Sequence, residues 1–259
     1  MLAQRQSALD SIGGRRIIVT GAAGGIGAGV VAGLAKRGAK LGAIYHHSPC
    51  RPELQTLAEW APCDLADKAA VENCFSVLAE KLGGLDALIN VSGHWQAGAA
   101  EEVDAEEIDT IIAANLKTAI FTNQAAFALM KERGGRIVNF GSVEGVDGNV
   151  ESPVYASAKA AVHGWTRSAA RSWGRFGITV NCVAPAMHTP VYDRVRASMN
   201  TEELAAHDAE MFRRIPMGGR LGDPEQDCTP TLAFLAGENS HFVTGQLIAV
   251  DGGLRMMGS

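Results

Sequence analysis

The sequence predicts a doubly wound α/β fold, a mostly parallel seven-stranded sheet with helices on both faces. Three observations carry this. Short runs rich in Ile and Val alternate with longer Ala/Leu-rich segments along the 259 residues. Several of these runs are apolar nearly throughout, as strands covered on both faces must be. No repeat, low-complexity tract or linker interrupts the alternation, so residues 1–259 are expected to form one domain.

The elements follow in order. Strands are expected at Arg16 to Thr20, Lys40 to Tyr45, near Trp60 to Cys63, at Ala87 to Val91, Arg136 to Phe140, Thr179 to Ala184 and Leu247 to Val250. Helices are expected near Ile26 to Arg37, Lys68 to Leu82, Ala105 to Lys131, Tyr155 to Arg175 and Pro224 to Ala236. Gly38, Gly83 and Gly177 stand where a residue of positive φ would stop a helix before the next strand. Residues 186–217 are polar and helical in pattern, hold four methionines and two aromatics, and follow a strand's carboxyl end. Ligands of open α/β sheets bind at such ends, which marks this stretch as an insertion facing substrate.

Composition narrows the function. Hydrophobic residues make up 47%, charged ones 20%, and the net charge is −5 with no basic run beyond Arg15-Arg16 and Arg213-Arg214, which excludes a nucleic-acid footprint. Cys50, Cys63, Cys74, Cys182 and Cys228 form no Cys-x-x-Cys pair, which fits reduced intracellular thiols and no metal site. The amino terminus lacks a leader-like apolar core and no run reaches membrane-spanning length, so a cytoplasmic protein without a membrane partner is expected.

The first strand runs straight into Thr20-Gly21-Ala22-Ala23-Gly24-Gly25-Ile26-Gly27 and then into a helix. In that setting Gly21 permits a tight turn, Gly25 lets backbone approach a pyrophosphate, and Gly27 lets the helix pack close. A dinucleotide is the cofactor such a loop holds. A carboxylate at the end of the second strand would select NAD, but Ile44-Tyr45-His46-His47-Ser48 has none, and its donors favour NADP over NAD. Asp64 could accept from an adenine amino group or cap the following helix.

Tyr155 and Lys159 are spaced i and i+4, so both project from one helix face, and Gly141-Ser142 ends the strand before them. A free phenol with a pKa of about 10 is the wrong species for proton abstraction, and a nearby cation stabilises its phenolate. These groups suit hydride transfer between a nicotinamide and an alcohol or ketone, in which the protein positions the partners and handles the proton.

At these residues the chain resembles the short-chain dehydrogenase/reductase family along essentially its whole length. The glycine loop matches, Asn90-Val91-Ser92-Gly93 stands where the family has Asn-Asn-Ala-Gly, and Asn115 falls in Ala114-Asn115-Leu116. Asn181-x-Val183-x-Pro185 and Val250-Asp251-Gly252-Gly253 complete the pattern. The resemblance implies Tyr155 as general acid/base, Ser142 as hydrogen-bond partner of the substrate oxygen, Lys159 as holder of the nicotinamide ribose, and Asn115 as carrier of a relay water. It further implies cofactor contacts from Gly21, Gly24, Gly25, Ile26, Gly27, Tyr45, His46, Asp64, Leu65, Asn90, Gly93, Pro185 and Thr189, and a homotetramer or homodimer. Two departures stand out: Ala186 replaces the family's Gly, and Thr189 comes one residue early.

Substrate is expected to meet Ser142 and Tyr155 among His94, Trp95, Glu144, Met187, His188 and Tyr192, a mainly apolar set suited to a medium-sized or ring-bearing alcohol or ketone. Arg133 and Arg175 raise a 3-oxoacyl-acyl-carrier-protein reductase as an alternative, since such relatives carry arginines there for an acidic carrier. A non-catalytic dinucleotide sensor is the alternative of another class.

Overall fold

The computed structural model describes residues 12–48 and 50–257; the amino-terminal residues 1–11, read above for a leader, lie outside it. Seven strands form one sheet: β1 (Arg16–Thr20), β2 (Lys40–Tyr45), β3 (Glu59–Pro62), β4 (Ala87–Asn90), β5 (Gly135–Phe140), β6 (Ile178–Pro185) and β7 (Leu247–Val250). Their order is β3-β2-β1-β4-β5-β6-β7, and every pairing is parallel. All carboxyl ends therefore share one edge, and the order reverses between β1 and β4.

Successive residues of β1 show how the sheet buries both faces. Ile17 and Val19 join one apolar layer with Val30, Val31, Leu34 and Leu232, while Ile18 joins the other with Phe75, Leu78, Leu88 and Met130. The first layer is supplied by α1 (Gly25–Lys36), and the second by α2 (Lys68–Leu82). Gly38, Gly83 and Gly177 all have positive φ, as expected of residues that end helices before strands.

One expected helix is divided. Ala105 to Lys131 comprises α3 (Ala105–Ile112), a π turn at Ala113–Lys117 and α4 (Thr118–Met130). A π turn holds one residue more than an α turn, a change that periodicity of apolar residues does not signal. After β5 come the short α5 (Glu144–Asp147) and the long α6 (Pro153–Trp173). The region 186–217 forms α7 (Pro190–Ser198) and α8 (Thr201–Arg214), neither with a buried residue. A second π turn, Pro224–Cys228, leads into α9 (Thr229–Ala236), which packs beside α1 in the first layer.

Candidate active site

The loop from β1 into α1 presents an open helix start. Gly24 is the N-cap and supplies no side-chain cap, and the first turn carries no acidic residue, so its backbone N–H groups face a position suited to an anion. A Cβ at Gly27 would stand 2.1 Å from the Gly21 carbonyl oxygen, so the close approach of loop and helix requires glycine there. Beside this start lies a cavity of about 470 Å³ lined by Gly21, Tyr45, His46, Asp64, Leu65, Gly93 and His94, among others. Six residues expected at the cofactor thus share one wall. Asp64 does not cap α2, a role taken by Asp67; its carboxylate accepts from Ala66 N at 2.9 Å.

Asn90 and Thr20 act across the switch point. Thr20 Oγ1 donates to Asn90 Oδ1 at 2.7 Å and accepts from Ser92 N at 3.2 Å, so the Asn90 side-chain oxygen is engaged in a buried bond between β1 and β4. Thr189 is likewise engaged, its hydroxyl capping α7 at Tyr192 N. Pro185 ends β6 beside Val250.

Ser142, Tyr155, Lys159 and Asn115 converge at the carboxyl edge. The π turn sets Asn115, 1% exposed, against the loop after β4: its Oδ1 accepts from His94 N, and its Nδ2 donates to His94 O at 2.8 Å and Ile111 O at 3.0 Å. A Cβ at Gly93 would meet Asn115 Oδ1 at 2.7 Å and Lys159 Nζ at 3.1 Å, so these polar groups flank one glycine. Lys159 Nζ donates to the Phe140 carbonyl at 2.9 Å and lies 5.5 Å from the Tyr155 ring centre.

Electrostatics differ from expectation. Burial pushes the Tyr155 phenol up, the Glu144 carboxylate adds to the rise, and only Ser142 opposes it. Burial also pulls the Lys159 ammonium down to about 8. Phenolate stabilisation by Lys159 is therefore not supplied by the protein alone, because the ammonium is itself desolvated.

Three contributors escaped the sequence reading. His163, two turns beyond Tyr155 on α6, accepts from Ser142 N at 3.4 Å, and burial pulls it down to about 4, leaving a neutral ring. Ser152 donates to Glu144 Oε2 at 2.6 Å and so holds that carboxylate beside the phenol. The Phe140 carbonyl anchors Lys159. Only His163 left a trace, through its i, i+4, i+8 spacing with Tyr155 and Lys159.

The residues expected at the substrate divide. Glu144 lies close enough to act on Tyr155, and His94 and Trp95 follow Gly93 as exposed residues. His188 and Tyr192 are instead turned to the pair α7–α8: His188 Nε2 meets Asp193 Oδ1 at 2.7 Å, and Tyr192 Oη meets His207 Nε2 at 2.7 Å. Met187 is buried and lines a separate cavity of about 360 Å³ with Met217, Arg220 and Val250. A larger cavity, about 620 Å³, opens at the amino edge of the sheet between Arg15, Arg133, Arg136 and Arg175, away from all these groups.

Known proteins resemble this chain in sequence and in fold. Residues 21–255 match the family model described as Enoyl-(Acyl carrier protein) reductase. The chain is 36% identical over 250 residues to a (2S)-[(R)-hydroxy(phenyl)methyl]succinyl-CoA dehydrogenase subunit of Thauera aromatica, covering 92% of this chain and 96% of that one. It is 33% identical over 249 residues to the 3-oxoacyl-[acyl-carrier-protein] reductase FabG of Vibrio cholerae, covering 94% and 98%. The structure of levodione reductase superposes with a TM-score of 0.83 at 27% identity, covering 93% and 97%. With a seven-stranded parallel sheet of this order and relatives matched over more than nine-tenths of the chain, it belongs to the short-chain dehydrogenase/reductase family, whose members are nicotinamide-dependent dehydrogenases and reductases acting on CH–OH groups.

Proposed function

We infer that the protein interconverts a secondary alcohol and a ketone, with Tyr155 as general acid/base. The observation that carries this is the meeting of Lys159 and Asn115 at Gly93, with Tyr155 beside Lys159 and Ser142 beside Tyr155, next to a cradle that admits no side chain at Gly27. The bound nicotinamide supplies or accepts the hydride. The chain does the rest. The α1 amino end holds the pyrophosphate, and the wall from Tyr45 to Leu65 takes the adenosine. Ser142 donates to the substrate oxygen, and Tyr155 gives it a proton in reduction and removes one in oxidation. Lys159 and Asn115 lead that proton away from the phenol.

NADP is the favoured dinucleotide, NAD the other. His46 and His47, whose rings stand 3.5 Å apart at the end of β2, leave that corner without a carboxylate to repel a 2′-phosphate. The substrate is a medium-sized apolar or ring-bearing alcohol or ketone, a reading supported by the phenyl-bearing substrate in the Thauera relative's name. The working form is a homotetramer or homodimer in the cytoplasm. A spectrophotometric screen of alcohols and ketones against NADH and NADPH tests the reaction, the dinucleotide and the substrate class, and absence of turnover across the panel would overturn the reading in favour of a dinucleotide sensor.

A second reading, a 3-oxoacyl-acyl-carrier-protein reductase, draws on the FabG relative and on Arg133 and Arg175 sharing one cleft. Titration with acyl carrier protein at low salt separates the two: absence of binding ends this version.

A further inference from the structure

Ser142 leaves β5 with a backbone donor that the sheet does not reach. On one side of it, Gly141 N donates to the Val183 carbonyl of β6 at 2.8 Å. On the other, Glu144 N donates to Ser142 Oγ at 3.1 Å and Gly145 N to the Ser142 carbonyl at 3.1 Å. Between them the Ser142 N–H is buried and must find an acceptor inside the protein. It donates to the imidazole Nε2 of His163, on α6, at 3.4 Å.

The ring fits this place closely. His163 is 4% exposed, and a Cβ at Gly141 would stand 2.3 Å from its Nε2 and 2.7 Å from Cys182 Sγ. A Cβ at Gly145 would stand 2.9 Å from His163 Cε1 and 2.7 Å from Ala160 N. The turn that carries Ser142 is therefore wrapped over the edge of one imidazole, with glycine at each end where the ring approaches. An accepting Nε2 carries no proton, so the ring is neutral with its hydrogen on Nδ1, the form that burial favours. Ser142 Oγ already takes the Glu144 N–H through a lone pair, which leaves its own hydrogen for another acceptor. The direction of that hydrogen follows from the set of the turn.

We propose that His163 is the positioning residue of Ser142: by accepting the Ser142 N–H, its imidazole sets the turn 141–145 so that the serine hydroxyl meets the substrate oxygen in line for proton and hydride transfer. His163 acts through Ser142. The effect on rate rests on the reading of Ser142 given above; the hold of the ring on the turn does not. A ring that only filled space would be replaceable by any side chain of like volume, whereas an acceptor must stand where Nε2 stands.

Three variants separate these roles. Glutamine places its amide near the position of Nε2, asparagine near that of Nδ1, and leucine fills the volume with no acceptor. Turnover of the full-length protein is measured with NADPH and NADH on the best ketone of a panel that includes cyclohexanone. The kcat of His163→Leu and His163→Asn should fall about 10- to 100-fold, while His163→Gln stays within about threefold of wild type. KM for the ketone and Kd for the dinucleotide should change by less than about twofold in all three. Hydrogen-exchange mass spectrometry reads the bond itself: peptides spanning Ser142 should keep one slow amide in wild type and His163→Gln and lose it in the other two. Equal kcat in the three variants, a loss in His163→Gln as deep as in His163→Asn, or a Ser142 amide as slow in His163→Asn as in wild type overturns the proposal. Should His163→Leu fail to fold, the contrast of glutamine with asparagine decides alone. A wild type without turnover on the panel overturns the reading of Ser142 instead, and amide exchange still decides whether His163 holds the turn.

Discussion

Lys159 is 3% exposed and hydrogen-bonded to a carbonyl, so the folded chain holds its ammonium at a cost. Its pKa falls from 10.5 to about 8, which means the unfolded chain binds the extra proton between those values. Stability from this group is therefore present above pH 10.5 and lost as pH falls toward 8. Urea unfolding at pH 7.5 and 9.5 should show the wild type gaining about 2 kcal/mol relative to Lys159→Met over that interval; equal slopes would contradict the assignment. His163 acts in the acid range: its pKa is depressed from 6.5 to about 4, so its contribution is present above 6.5 and lost as pH falls through 4. Tyr155→Phe should retain NADPH binding and lose turnover by about 10² to 10⁴, checked by fluorescence titration and steady-state rates. The Tyr155/Lys159 pair was legible because an i, i+4 repeat fixes a shared face whatever the packing. The rise in the Tyr155 pKa was not, because burial and the approach of Glu144 belong to tertiary structure.

At the scale of elements, the π turn Ala113–Lys117 clamps the loop after β4 through one side chain. Asn115→Ala would leave the His94 N–H and the His94 and Ile111 carbonyls without this partner. It should cost about 1–3 kcal/mol in thermal unfolding and lower turnover as well. Gly93→Ala forces a methyl against Asn115 Oδ1 and Lys159 Nζ, so turnover should fall by about 10²-fold with the circular dichroism spectrum intact. The helices α7 and α8 lie at the other extreme. They bury no residue and are held by polar pairs, Arg196 with Asp208 and Tyr192 with His207. Amides in 190–214 should exchange before those of α4, as hydrogen-exchange mass spectrometry would show. The sequence located this region but not its internal pairing, since His188 and Tyr192 satisfy equally a substrate pocket or a helix pair.

At the scale of the molecule, the parallel sheet and its switch point were the most legible feature, because runs such as Ile17-Ile18-Val19 have only a doubly covered sheet to occupy. The edge opposite the chemistry was not legible. There Arg16 pairs with Asp86, and Arg136 donates to the carbonyls of Gly135, Gly177 and Gly237, tying the starts of β1, β4, β5 and β6. Strands of four to eight residues separate this edge from the carboxyl ends, about 13–26 Å at 3.3 Å per residue. An engineer can therefore treat the two edges as independent controls. Substitutions that tighten the arginine ties should raise heat resistance, those around Glu144 and Trp95 should retune selectivity, and the two sets should combine additively.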